Sequence, residues 1–251
     1  MLNKVAIGRY YPIKSKVHLM NPIAKIICTI LFVAMTFLCH DIRLMVLLAF
    51  ICVLMIELAR LPRILYLKSF SSLKFLFLFL LVIYYFLGSD LETILNMCLR
   101  LYLIVIYTSI LTLTTPPNEI TYALQVVMAP LKLIGIPVNK MALSISLALR
   151  FIPTIIDQGN KIMKSQASRG IDYYASKLSG KLLAIKSMIL PMFILTIRRA
   201  DLLAEAMEVR LYDINAKRTI FRANKTTFFD FFLVTIHLGI LILIIARMVI
   251  K

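Results

Sequence analysis

Two arginines stand where two long apolar patterns stop. In KSQASRGIDYY, residues 164–174, a Leu/Ile-rich helical run ends on Ser168-Arg169-Gly170. In AEAMEVRLYD, residues 204–213, a second run ends around Val209-Arg210-Leu211. One arginine at a helix end would do no more than complement the negative end of the helix dipole. Here each arginine is followed by an acid and tyrosine, Asp172-Tyr173-Tyr174 and Tyr212-Asp213. A planar guanidinium carried on a rigid tip suits a charge-assisted bond to a carboxylate of a partner.

Other chemistry is hard to assemble. The glycines are scattered and no GxxxxGK[ST] run occurs, so a nucleotide phosphate has no P-loop to rest in. His18, His40 and His237 fall in different segments without ligand spacing, and Cys28, Cys39, Cys52 and Cys98 form no CxxC pair, so neither a metal site nor a disulfide framework is expected. Asp90 and Glu92 read as an outer loop lacking a partner base. No nucleophile–base pair can be nominated. The chain is expected to be non-catalytic and to need no cofactor.

The elements that carry these arginines belong to a membrane protein. Of 251 residues 61% are hydrophobic, and mean hydropathy is +0.90, far above the ~45–50% apolar share of soluble domains. One core cannot bury that excess, so lipid must cover it. The net charge of +17 is not a nucleic-acid footprint, because the aromatic residues lie in apolar runs rather than among the bases. Positive-inside topology accounts for it.

Apolar segments at about 23–39, 44–59, 73–87, 94–114 and 228–250 approach the ~20 residues that a spanning helix needs. None alternates as barrel strands do. Lys4, Arg9, Lys14, Lys16 and Lys25 precede or enter the first, and Arg60, Arg63, Lys68 and Lys74 surround the second connection. The third connection, GSDLE, has two acids and no base. The expected topology therefore has the N-terminus inside the cell and Asp90 outside. Glu57 and Arg100, near segment ends, should snorkel to the headgroups.

The expected organisation is 1–115, a cytoplasmic N-terminal segment with four spans; 116–227, a cytoplasmic-side coupling region; and 228–251, a closing span. The middle region holds 16 of the 29 bases. Pro116-Pro117-Asn118-Glu119 starts an amphipathic helix, GIPVN turns the chain, and long helices follow at about 139–169 and 181–210. Gly170 should stop the first, while Pro153 and Pro191 should kink them. Small residues Ala142, Ser146, Ala200 and Ala204 offer a close crossing. Charges inside both patterns (Arg150, Asp157, Lys161, Lys186, Arg198, Arg199) favour helices under or partly within the inner leaflet over true spans. The fold class is all-α, polytopic, with about five transmembrane helices and a coupling region of amphipathic and long kinked helices.

Three strings resemble one family closely: HLMNPIAK (18–25), the run from TTPPNEITYALQ to KSQASRG (114–170), and RRADLLAEAMEVRLYD (198–213). They are similar to the transmembrane T component, the EcfT/CbiQ-like family, of energy-coupling factor (ECF) transporters. The resemblance implies a coupling subunit in a prokaryotic plasma membrane that bridges two ABC-type ATPase subunits and a membrane-embedded substrate-binding S component. It further implies that Ser168-Arg169-Gly170 and Val209-Arg210-Leu211 dock into the ATPases. The second triplet lacks the family's glycine, and Leu211 should disfavour a left-handed helix cap there.

The implied activity is transmission of ATP-driven motion for vitamin or micronutrient uptake, with hydrolysis by the partners; the alternative is a dedicated cobalt/nickel or biotin system. A polytopic enzyme is disfavoured by the missing catalytic set, and a stand-alone channel by the missing polar residues at mid-membrane. The resemblance implies that the S component, rather than this chain, selects the substrate.

Overall fold

The computed structural model describes residues 10–13, 15–39, 41–88, 90–173, 178–213, 216 and 226–250. Lys4, Arg9, Lys14 and His40, and residues 174–177 after the first arginine, lie outside them. All regular structure among the described residues is helical: α1 (Lys16–Leu19), α2 (Pro22–Leu38), α3 (Ile42–Ala59), α4 (Arg63–Phe86), α5 (Leu91–Thr114), α6 (Pro117–Val127), α7 (Val138–Ser168), α8 (Leu178–Val209) and α9 (Phe228–Ile250), with a 3-10 turn at Ala129–Ile134. They form two bodies, Gly8–Ala129 with Ile220–Lys251, and Pro130–Thr219. The protein is an all-α polytopic membrane protein.

In the first body, local chemistry fixes where helices begin. The Asn21 side chain accepts a hydrogen bond from the Ile23 N–H at 3.0 Å, and Pro22 presets the first turn of α2. Pro117 does the same for α6, with Glu119 in its first turn. Helix direction is legible from contacts at the two ends. At one end, Asp230 of α9 accepts from the Asn21 N–H, and Lys25 of α2 donates to the Thr114 carbonyl of α5. At the other, Arg100 of α5 donates to the Cys39 carbonyl, and Arg247 of α9 stands 3.9 Å from Asp41. So α5 runs antiparallel to α2, and α9 runs parallel to it.

Arg100 finds a protein partner at a span end. Its guanidinium meets the carbonyl at the C-terminal cap of α2, a negative end that stabilises a cation.

Between the two ends, Phe32 and Met35 of α2, Met45 and Leu48 of α3, and Tyr107 of α5 are buried together. Phe32 and Tyr107 stack at 4.0 Å with 9° between their planes. The Tyr107 hydroxyl lies 2.8 Å from His237 Nε2, and His237 Nδ1 lies 2.8 Å from the Leu233 carbonyl. A carbonyl can only accept, so Nδ1 carries the proton and Nε2 accepts from the tyrosine. His237 thus closes a polar contact between α5 and α9.

Five helical segments are long and apolar enough to cross a membrane by length and composition: 42–59, 92–114, 138–168, 179–209 and 228–249. Three lie in the first body. The other two are α7 and α8, the helices expected under or partly within the inner leaflet. Meanwhile α2 and the Lys74–Tyr84 stretch of α4 are apolar but shorter.

In the second body, α7 and α8 pack on each other, and each remains one helix across its proline. Pro153 and Pro191 have no N–H, so the carbonyls of Leu149 and Ser187 lack the usual fourth-residue donor. The small residues buried in this body are Ala142, Gly159 and Ala184. Ser146, Ala200 and Ala204 are exposed instead, so the expected crossing uses only one of its four proposed residues. Leu182, Leu183, Phe193 and Ile194 of α8 also face outward. Nothing in this body covers them, which leaves them for lipid or a partner.

Lys25 is a buried cation of the first body. It is 4% exposed, and its Nζ donates at 3.3 Å to the His18 carbonyl, the Thr114 carbonyl and Thr115 Oγ1. Glu119 and Asp230 supply opposite charge nearby, and Asp230, 3% exposed, accepts from the N–H groups of Asn21 and Thr227. Replacing Lys25 with Met keeps the aliphatic stem but strands two buried acceptors, the Thr114 carbonyl and Thr115 Oγ1, at about 1–3 kcal/mol for each group left without a partner. The expected result is a lower temperature of loss of the monodisperse peak for the detergent-solubilised protein. Lys16→Met, on the exposed face of the preceding turn, should leave that temperature unchanged.

Candidate functional site

Helix α7 ends by a complete hydrogen-bonded cap. Arg169 is the C-cap residue, with φ −90° and ψ 7°. Gly170 follows in the left-handed region at φ +91°. The Gly170 N–H donates to the Ala167 carbonyl at 3.0 Å, and the Ile171 N–H to the Gln166 carbonyl at 3.1 Å. This pair of bonds, six-to-one outside and five-to-two inside, is a Schellman motif, and the left-handed residue it needs is most easily glycine. A Cβ added at Gly170 would meet nothing within 4 Å, so the backbone rather than crowding asks for glycine. Ser168 turns its hydroxyl back to the Lys164 carbonyl at 3.2 Å, leaving Arg169 as the outward group.

Helix α8 ends in the same way despite its different sequence. The Leu211 N–H donates to the Glu208 carbonyl at 2.9 Å, and the Tyr212 N–H to the Met207 carbonyl at 3.0 Å. Leu211 occupies the position of Gly170 at φ +52°. Leucine is disfavoured in this conformation, yet the left-handed cap forms all the same. Two backbone bonds hold the motif, and they outweigh a steric cost of about 1–2 kcal/mol.

The six residues thus form two triplets of one geometry, each an exposed arginine on the last turn of a helix longer than 30 residues. Tyr173 approaches Ser187 of α8 at 3.5 Å, which ties the segment after the first tip to the second helix. At an exposed helix end, a guanidinium adds its five donors to a rigid frame, which fits a bidentate carboxylate acceptor.

Sequence reasoning passed over the cluster formed by Lys25, Thr114, Thr115, Asn21 and Asp230. Lys25 reads from the sequence as a topology-setting cation, and in the fold it is buried. The signal was present: two of the strings that carried the family resemblance, HLMNPIAK and TTPPNE, supply Lys25 and its threonine acceptors. Beside them, His18 Nε2 lies 3.0 Å from the Tyr11 carbonyl, and Nδ1 lies 2.7 Å from Ser15 Oγ. Burial holds the His18 imidazole below its ordinary range, the Tyr11 carbonyl opposes that shift, and Lys25 adds to it.

Comparison with known proteins agrees with this architecture. The family described as CbiQ, cobalt transport protein, matches residues 13–220. The chain is 36% identical over 261 residues to the energy-coupling factor transporter transmembrane protein EcfT of Staphylococcus aureus, with 97% of each chain covered. It is 33% identical to the EcfT of Listeria innocua, covering 92% of this chain and 93% of that one. Against the EcfT of Bacillus subtilis it is 32% identical, with 88% and 90% covered. The chain belongs to the EcfT/CbiQ family of energy-coupling factor transporter membrane components.

Proposed function

We propose that this chain is the non-catalytic coupling subunit of an ECF-type importer, joining two ABC-type ATPase subunits to a membrane-embedded S component that binds a vitamin or micronutrient. The observation that carries this reading is the repeated tip. Two long helices that pack on one another end in the same cap, and each presents an exposed arginine. Two equivalent cations on rigid levers suit two similar partners. Closure of an ATPase pair on ATP would displace the tips, and α7 and α8 would carry that displacement to whatever covers their apolar faces.

The orientation follows from charge. The helix ends that gather Lys16, Lys25, Arg60 and Thr114 form the cation-rich side of the first body, which the positive-inside rule assigns to the cytoplasm. The Asp41–Arg247 end then faces outward. A cysteine placed at Asp90 should react with an impermeant maleimide on intact cells, whereas one at Asp172 should react only after the membrane is opened. Reaction of the Asp172 position from outside would reverse the topology.

Charge reversal tests the docking. Arg169→Glu or Arg210→Glu sets two like charges together at a partly desolvated contact. Losing one member of such a pair costs about 2–5 kcal/mol, or one power of ten in Kd per 1.4 kcal/mol. Each single variant should release one ATPase, and the double variant should abolish co-purification and ATP-dependent uptake. Because both positions lie at exposed helix ends, the variants should purify as the parent does. Normal assembly by the double variant would reduce both arginines to helix-end cations.

A further inference from the structure

The two tips share a backbone but not a surface, and the difference runs against what each helix would choose for itself. Leucine is disfavoured in the left-handed conformation that Leu211 adopts at φ +52°. Nothing within the body to which it belongs repays that strain by burying the side chain, since Leu211 is 91% exposed. Val209, on the other side of Arg210, is 84% exposed. Acids are also disfavoured at a helix C-terminus, yet Glu205 and Glu208 lie on the last turns of α8. Residues chosen against local stability and left on the surface point to a role outside the chain.

The first tip is the opposite in each respect. Its left-handed residue is glycine, Ser168 satisfies its hydroxyl within the helix, and residues 161–170 hold the exposed cations Lys161, Lys164 and Arg169 with no acid. Residues 201–211 hold Asp201, Glu205 and Glu208 around the single cation Arg210, all exposed. One tip is small, polar and basic; its counterpart is apolar at the point and acidic along the flank.

We infer that the two tips are not interchangeable: Val209 and Leu211, with Glu205 and Glu208 behind them, select one ATPase subunit for the second dock. This rests on the docking reading above and goes beyond it by describing the two grooves. The groove for Arg169 is broadly acidic. The groove for Arg210 offers one carboxylate, an apolar wall for Val209 and Leu211, and a rim that is neutral or basic opposite Glu205 and Glu208. Such a pattern rejects the wrong partner as well as accepting the right one, because the first tip's lysines repel a basic rim and the second tip's acids repel an acidic groove.

The test uses the full-length protein in nanodiscs and each ATPase subunit purified singly, with affinities read by titration. The double variant Val209→Ser with Leu211→Gly relieves the strained cap while removing the apolar contact. It should bind one ATPase about tenfold or more weakly and the other unchanged, as expected for an apolar side chain withdrawn from a buried site. Leu211→Met, apolar and of similar volume, should bind like the parent. Parental affinity of the double variant for both ATPases would overturn the inference, as would a loss in Leu211→Met equal to that of the double variant. Arg210→Glu, run in parallel, separates the two claims. If it weakens binding while the double variant does not, only the selectivity fails; if it has no effect either, the docking reading fails with it.

Discussion

A lysine ammonium out of reach of water organises the first body. Lys25 Nζ is bonded to the carbonyl before the first long helix, to the carbonyl that ends α5 and to the threonine after it. Glu119 of α6 and Asp230 at the start of α9 supply opposite charge, and Asp230 takes the N–H groups of Asn21 and Thr227. A buried ion is tolerated only where its hydrogen bonds are satisfied, so the starts of α2 and α9 and the end of α5 are held at one level. The register of α6 follows, because it begins two residues after Thr115 and packs on α2. Slippage of any of these helices by one turn would leave a charge or a carbonyl bare.

The second body is built on different terms. Its helices are long and apolar, and their contact with each other covers few large side chains, chiefly around Ala142, Gly159 and Ala184. Its outward apolar side chains, Leu182, Leu183, Phe193 and Ile194 among them, are left for lipid or a partner to cover. The first body is fixed by a polar cluster and a stacked aromatic core, while the levers carry little core of their own. Rigidity at the tips is supplied locally by two backbone bonds at each cap, so the arginines keep a defined direction even if the helices shift.

Much of this was legible in the residues. Apolar runs, Pro22 and Pro117 at helix starts, Gly135 at φ +84° and Gly170 at φ +91° each have a local cause that sequence displays. What could not be read depends on contacts between distant segments. Lys25 looked like one more cytoplasmic base because its acceptors lie some 90 positions away. The acceptor of Arg100 was equally hidden, because the carbonyl it meets belongs to another helix. The small-residue crossing was misjudged at Ser146, Ala200 and Ala204, since spacing along one helix does not say which face its neighbour takes. Leu211 misled for a subtler reason: residue preference argued against the left-handed cap, whereas backbone hydrogen bonding decided for it.

The central claim is that each arginine tip sits in a different ATPase. It is tested most directly by a photoreactive amino acid placed at Ser168 or at Val209 in the assembled complex in native membranes, followed by identification of the cross-linked chain. The account predicts that Ser168 captures one ATPase subunit and Val209 the other. Capture of the same subunit from both positions, or of lipid alone, would contradict it.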